Sequence, residues 1–221
     1  MFRVAVVNAK GGAGKTTVAT NLASYYCSQQ LKTAIVDYDS QGSSTFWVSR
    51  RPEKSHPIQI IPAYKQPKHV TANWFIRPER DTQRVIVDTP SGMDVIQFRN
   101  ILMECDALLI PVLPSAIDIH AVARFIAELL LQGKFKREDG RIAVVANRAR
   151  KNTLVYQRLE IFLNSLGIPF IATLRDTQQY IKANEEGKGI FDMPASAVAK
   201  DLASWQPLLT WLQQRSGEAD G

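Results

Sequence analysis

The run Lys10-Gly11-Gly12-Ala13-Gly14-Lys15-Thr16 has the residue types and spacing of a phosphate cradle. Glycines let the backbone curl so that several N–H groups point inward at phosphate oxygens. A helix opening directly behind them adds the partial positive charge of its N-terminus. Lys15 is placed to reach the β- and γ-phosphates of a nucleoside triphosphate, the Thr16 hydroxyl to ligate Mg²⁺, and Thr17 to join the nucleotide contacts. The strict form of the loop has glycine five residues before Gly14, where Ala9 stands instead, so this is a variant. Lys10 is a second lysine that one phosphate site does not require. Further on, Val36-Asp37-Tyr38-Asp39-Ser40-Gln41-Gly42 carries two acids two residues apart, hence on one side of an extended chain. Val85-Ile86-Val87-Asp88 is an apolar run closed by an acid, and Val144-Val145-Ala146-Asn147 one closed by an amide able to donate to and accept from a base edge.

Those residues need strands that end together. The apolar runs Phe2–Asn8, Thr33–Asp37, Ile58–Pro62, Arg84–Asp88, Ala107–Pro111, Ile142–Asn147 and Phe170–Thr173 read as strands. Thr16–Gln29, Asp94–Glu104, Ile117–Leu131, Thr153–Leu166, Thr177–Glu186 and Ala195–Gln214 read as helices. Strands apolar without alternation are buried on both faces, the mark of a parallel sheet covered on each side. The fold class is α/β, a doubly wound and mostly parallel sheet, in which ligands sit at the carboxyl ends of the strands. The Arg50–Ala72 stretch, rich in proline and polar residues, reads as irregular surface apart from Ile58–Pro62. The chain is expected to be one domain over 1–215 with a polar tail, 216–221.

Taken in order, these motifs resemble the deviant Walker A ATPases of the ParA/MinD family, whose loop is written KGGxGK[T/S]. The resemblance extends from Lys10 to Gly187-Lys188-Gly189-Ile190-Phe191, and it implies the following roles. Lys10 is the signature lysine that crosses a dimer interface to the partner's nucleotide, and Lys15 is the lysine of the subunit's own site. Asp39, in a segment similar to the family's DxDPQG switch, positions the attacking water, and Asp37 supports Mg²⁺ from behind its direct ligands. Asp88 is the Walker B acid that holds Mg²⁺, and Ser91-Gly92-Met93 is the second switch. Asn147 and Pro194 line the base pocket. Ser40 replaces the switch proline, a departure expected to loosen that turn. The implied cofactors are ATP and Mg²⁺. The implied partners are a second copy joined on ATP, non-specific double-stranded DNA and a ParB-like activator on a cargo.

Bulk properties narrow the setting. The 221-residue chain carries a net charge of +6, which permits an anionic partner without requiring one. Arg148, Arg150, Lys151 and Arg158, with Arg175 and Lys182, supply charge and reach enough for non-specific DNA contacts, and no aromatic pattern suits single strands. No run of about eighteen apolar residues spans a membrane. The Ala195–Gln214 helix lacks the cationic face of a membrane-surface helix and reads as packed on the core. Cys27 and Cys105 form no disulfide framework, which points to a reducing, cytoplasmic setting, and the resemblance implies a nucleoid-associated protein. Two other enzyme classes share the scaffold. A metabolic ATP-dependent enzyme would need a substrate pocket the sequence does not reveal, and a nitrogenase-type iron–sulfur reductase would need a cysteine pair at the dimer face, whereas Cys27 falls inside the first helix.

Overall fold

A computed structural model describes residues 1–65, 77–150, 153–165 and 167–217. Strands β1 (Phe2–Val6), β2 (Thr33–Asp37), β3 (Ile58–Pro62), β4 (Arg84–Asp88), β5 (Ala107–Val112), β6 (Ile142–Ala149) and β7 (Phe170–Arg175) form one sheet in the order β3-β2-β4-β1-β5-β6-β7. Every adjacent pair is parallel. Branched and apolar residues fill these strands, and every residue of β2, β4 and β5 is buried.

Alternation deals the side chains to two cores. Ala5, Val85 and Val87 face one side with helices α3 (Val95–Met103), α4 (Ala116–Leu131) and α5 (Leu154–Ser165). Val4, Val6 and Ile86 face the other, beneath α1 (Lys15–Ser28) and α7 (Ala195–Ser216). The apolar face of α7 therefore belongs to the core: Trp205 is fully buried and its indole N–H donates to the Tyr180 hydroxyl at 2.8 Å. Full burial of one large apolar side chain is worth roughly 1.5–3 kcal/mol, so this face is held firmly. Among the described residues no helix is long and apolar enough to cross a membrane.

Two short helices complete the fold: α2 (Ser43–Ser49), which the sequence pattern did not announce, and α6 (Gln179–Glu185). The edge strand β3 forms as expected inside the otherwise irregular segment and pairs with β2 from Thr33↔Ile58 to Asp37↔Pro62.

The register sets the site. Asp88 is the partner of Val6 on one side and of Asp37 on the other. The chain leaves β1 toward β2 and β3, returns to β4, and only then crosses to β5, β6 and β7. The crevice at the carboxyl end of β1 therefore lies where the winding reverses, with Asp37 and Asp88 beside it.

Candidate functional site

The loop between β1 and α1 is held from both ends. Asn8 is buried, donates to the Pro111 carbonyl at 2.7 Å and accepts the Lys10 N–H at 2.9 Å. On the other side the Ala9 carbonyl accepts the Gly92 N–H at 2.7 Å, which brings Ser91-Gly92 against the loop. Gly14 closes the loop in the left-handed region, at φ 90°, immediately before α1. A Cβ there would stand 2.0 Å from the Asn147 amide nitrogen, so conformation and space both require glycine. Asn147 itself is buried at the end of β6, donates to the Ala13 carbonyl at 2.9 Å and accepts the Arg148 N–H at 3.0 Å. Its amide thus ties the loop to the sheet, which the sequence did not suggest.

At the other flank, Asp37 and Asp88 lie side by side at the ends of β2 and β4, both buried. One oxygen of Asp88, Oδ2, accepts the Thr16 hydroxyl at 2.9 Å and the Ser44 hydroxyl at 2.6 Å. Oδ1 is buried with no hydrogen-bond partner. Asp37 Oδ2 accepts both the N–H and the hydroxyl of Thr45, at 2.9 and 2.8 Å, while its Oδ1 accepts the Asp39 N–H at 3.1 Å. Asp39 in turn accepts the Gln41 N–H at 3.0 Å, and the Asp39 carbonyl accepts the Gly42 N–H at 2.8 Å. The turn expected to be loosened by Ser40 is thus closed twice over. The residue before α2 is Gly42, and the carboxylate that receives a first-turn N–H of that helix is Asp37.

Burial sets the electrostatics. Desolvation pushes the Asp88 carboxyl up to about 6, outweighing the hydrogen bonds from Ser44 and Thr16 that favour its charged form. Asp37 is raised for the same reason, against the bonds from Thr45 and Asp39. Lys15 is lowered by burial, partly offset by the nearby charges of Asp88 and Asp39. Its ammonium leans on the Lys10 carbonyl at 3.4 Å.

Lys10, which one phosphate site does not require, has a partner within its own subunit: its ammonium makes an ion pair with Asp118 of α4 at 2.7 Å, and the Asp118 side chain is only 5% exposed. Asp118 also bonds the hydroxyl of Ser115, the residue that caps α4. Two acids with Thr16 are a lean donor set. Among the described residues no group of three or more His, Cys, Asp or Glu side chains is placed to hold an ion, so a divalent cation here would draw most ligands from phosphate and water. The unpartnered Asp88 Oδ1 and the Thr16 hydroxyl fit that arrangement.

Beside the loop opens a cavity of about 560 Å³ whose lining includes Thr16, Thr17, Asn147, Arg148, Asp176 and Ile181. Phe46 and Trp47 of α2 form part of its wall. That wall is fastened to the segment before α7. Arg51 grips Asp192 through two bonds of 2.8 and 2.9 Å, and Trp47 donates to the Lys188 carbonyl at 3.1 Å. Gly187, at φ 64°, allows the close approach, since a Cβ would fall 2.3 Å from the Arg50 carbonyl oxygen. Pro194 stands at the start of α7 and is not among the residues lining the cavity, contrary to its expected place at the base. The proposed DNA contacts are dispersed. Arg150 pairs with Asp176 and Arg175 with the buried Asp201, and both line a groove of about 710 Å³ with Lys200. Arg148 lines the cavity beside the phosphate loop instead. Arg158 and Lys182 are exposed on α5 and α6, and Lys151 lies outside the described residues.

A glycine-rich cradle at a strand–helix junction, two lysines in it and strand-end carboxylates beside it define a phosphate-loop nucleotide-binding protein. Residues 4–190 match the CobQ/CobB/MinD/ParA nucleotide-binding domain, and the chain belongs to that family, whose ParA/MinD members are ATPases. The protein called maintenance of carboxysome distribution protein A, from Halothiobacillus neapolitanus, is 31% identical over 196 residues, 88% of each chain. The chromosome-partitioning ATPase Soj of Thermus thermophilus is 28% identical over 152 residues, 58% of this chain and 61% of that one. Among solved structures, a Cyanothece McdA–ATP complex superposes with a TM-score of 0.73 at 18% identity, covering 100% of this chain and 98% of that one. A Borrelia burgdorferi putative plasmid partition protein bound to AMPPNP superposes with a TM-score of 0.72 at 17% identity, covering 95% and 98%.

Proposed function

We propose that the chain is a positioning ATPase that dimerises on ATP, binds nucleoid DNA without sequence preference in the cytoplasm, and moves a cargo whose ParB-like partner stimulates hydrolysis. The observation that carries this reading is the pair of lysines in one phosphate loop. Lys15 is buried with the charges of Asp88 and Asp39 nearby, while the Lys10 side chain is part-exposed and its ammonium pairs with Asp118 of α4. A part-exposed lysine in that place is one a second subunit can reach once it leaves Asp118. The family likeness to a carboxysome-distribution protein favours a protein body as the cargo over a plasmid or chromosome.

Each residue has a task in this reading. Loop N–H groups from Gly11 to Thr17 and the Lys15 ammonium hold the β- and γ-phosphates. Mg²⁺, bound with the nucleotide through the Thr16 hydroxyl and supported by Asp88 and Asp37, would neutralise phosphate charge as the bond to the leaving group breaks. Asp39, its backbone fixed on Asp37, orients a water for attack. Lys10 of the facing subunit stabilises charge on the transferring phosphoryl group. Asn147 keeps the base side of the loop in place, with one amide hydrogen left for the base. A membrane-bound mode is disfavoured because the apolar face of α7 is buried against the sheet.

The test is DNA retardation with ATP, ADP and no nucleotide, repeated across salt. Binding should appear with ATP and fall by orders of magnitude between low and moderate salt, as released counterions require. Equal binding with ADP, or indifference to salt, would refute the DNA-bound positioning mode.

A further inference from the structure

Ser44 is fully buried in the first turn of α2, where a serine hydroxyl often bonds backbone close by in sequence. It reaches across to β4 and donates to Asp88 Oδ2 at 2.6 Å, a hydrogen bond between residues 44 apart in sequence. Thr16 donates to the same oxygen from α1. Two donors on one oxygen fix the plane of the carboxylate and leave Oδ1 as its only open atom, buried and unpartnered. The next residue of the same turn, Thr45, grips Asp37 twice, and Asp37 holds the backbone of Asp39. One turn of helix therefore touches both the acid that would support the metal and the acid that anchors the water-positioning loop.

We propose that Ser44 is a positioning residue that couples the switch helix α2 to the metal-supporting carboxylate. With Ser44 and Thr16 on Oδ2, Asp88 keeps Oδ1 as its unpartnered oxygen, and α2 sits where Thr45 and Asp37 hold Asp39 in place. When α2 shifts, Asp88 loses its shorter donor at the same time as Asp39 loses its anchor. Metal support and water positioning are then gained or lost together. The inference rests on the Mg²⁺-nucleotide reading given above, and it assigns to Ser44 a task that the loop and switch motifs do not contain.

The experiment measures ADP affinity by calorimetry in EDTA and over a range of Mg²⁺, with the melting temperature recorded for each variant. For Ser44→Ala, affinity in EDTA should stay within about twofold of the parent. The Mg²⁺ concentration needed for half of the affinity gain should rise roughly tenfold, the scale of one lost hydrogen bond to a charged group. Ser44→Cys fills nearly the same volume with a poor donor, so it should match Ser44→Ala in Mg²⁺ response; a Cys variant behaving like the parent would mean that filling the space, not donating the bond, is what matters, and would overturn the proposal. In an Asp88→Asn background, Ser44→Ala should add nothing to the Mg²⁺ requirement. A parental Mg²⁺ response in Ser44→Ala, or a further loss in the Asp88→Asn background, would also overturn it while leaving the nucleotide reading intact. A parent whose ADP affinity ignores Mg²⁺ would bring down both.

Discussion

Asp88→Asn should make the nucleotide-free protein more stable while ending its Mg²⁺-dependent hydrolysis. The carboxyl is raised from an ordinary 3.8 to about 6 by burial. The sign follows from linkage. The folded chain holds this proton more tightly than the unfolded chain, so the ionised group costs stability. The cost is fully present above the folded value and disappears below the unfolded one. A shift of about two units corresponds to about 3 kcal/mol at about 1.4 kcal/mol per unit. Asparagine keeps the shape, accepts from Thr16 and Ser44, and carries no charge to desolvate. For a chain of this size about 3 kcal/mol is a rise of roughly 6–12 °C in melting temperature. The assay is thermal unfolding of parent and variant without nucleotide from pH 8 to pH 5. The gap should be widest at pH 8 and about half as large at pH 5, because the parent protonates as pH falls through about 6. A variant no more stable than the parent at pH 8, or a gap unchanged at pH 5, would refute the claim that desolvation of this acid dominates.

Four further substitutions separate the roles in the site. Lys15→Ala should reduce nucleotide affinity by orders of magnitude in direct titration, since the buried ammonium is the main cation facing the phosphates; unchanged affinity would remove the phosphate-loop assignment. Asp39→Ala should bind ATP normally and hydrolyse it at least tenfold more slowly, leaving a long-lived dimer; parental turnover would exclude water positioning. Lys10→Ala should keep ATP affinity within a few-fold but lose ATP-induced dimerisation in light scattering, whereas Asp118→Asn, which releases Lys10 from its ion pair, should dimerise at lower protein concentration than the parent. A Lys10→Ala variant that dimerises like the parent would make Lys10 a local structural residue only.

The phosphate loop and the strand-end acids were legible because their chemistry demands residue types in a fixed order, and the apolar runs fixed which strands must carry them. Asp88 and Asp37 could be placed at the crevice from their runs alone, and the register then set them side by side. What escaped were contacts between segments remote in sequence. α2 has no apolar period long enough to read, and it forms because Asp37 receives its first-turn donors and Arg51 and Trp47 fasten its end to the segment before α7. Asn8 stands in the sequence as an amide closing the apolar run Phe2–Asn8, a signal of the same kind that singled out Asn147. Asp118 looked like any acid in the first turn of a helix, where it complements the dipole. Nothing in its neighbours announces that Lys10 lies across from it.

That ion pair bears on how such a site distinguishes ATP from ADP. To serve a partner's phosphates, Lys10 must leave a carboxylate that is almost wholly buried, and a buried charge abandoned by its partner is costly. The new contact must exceed the old one. A γ-phosphate brings more negative charge than one carboxylate, and at a closed interface water screens it little, so the exchange can run toward the dimer. Without the γ-phosphate the nucleotide brings less negative charge, and the exchange has less to offer. Asp118 would then act as a threshold: it holds Lys10 at home until the facing subunit presents the third phosphate. On this argument Asp118→Asn should raise dimerisation with ADP proportionally more than with ATP, and an equal rise with both nucleotides would show that the ion pair does not discriminate between them.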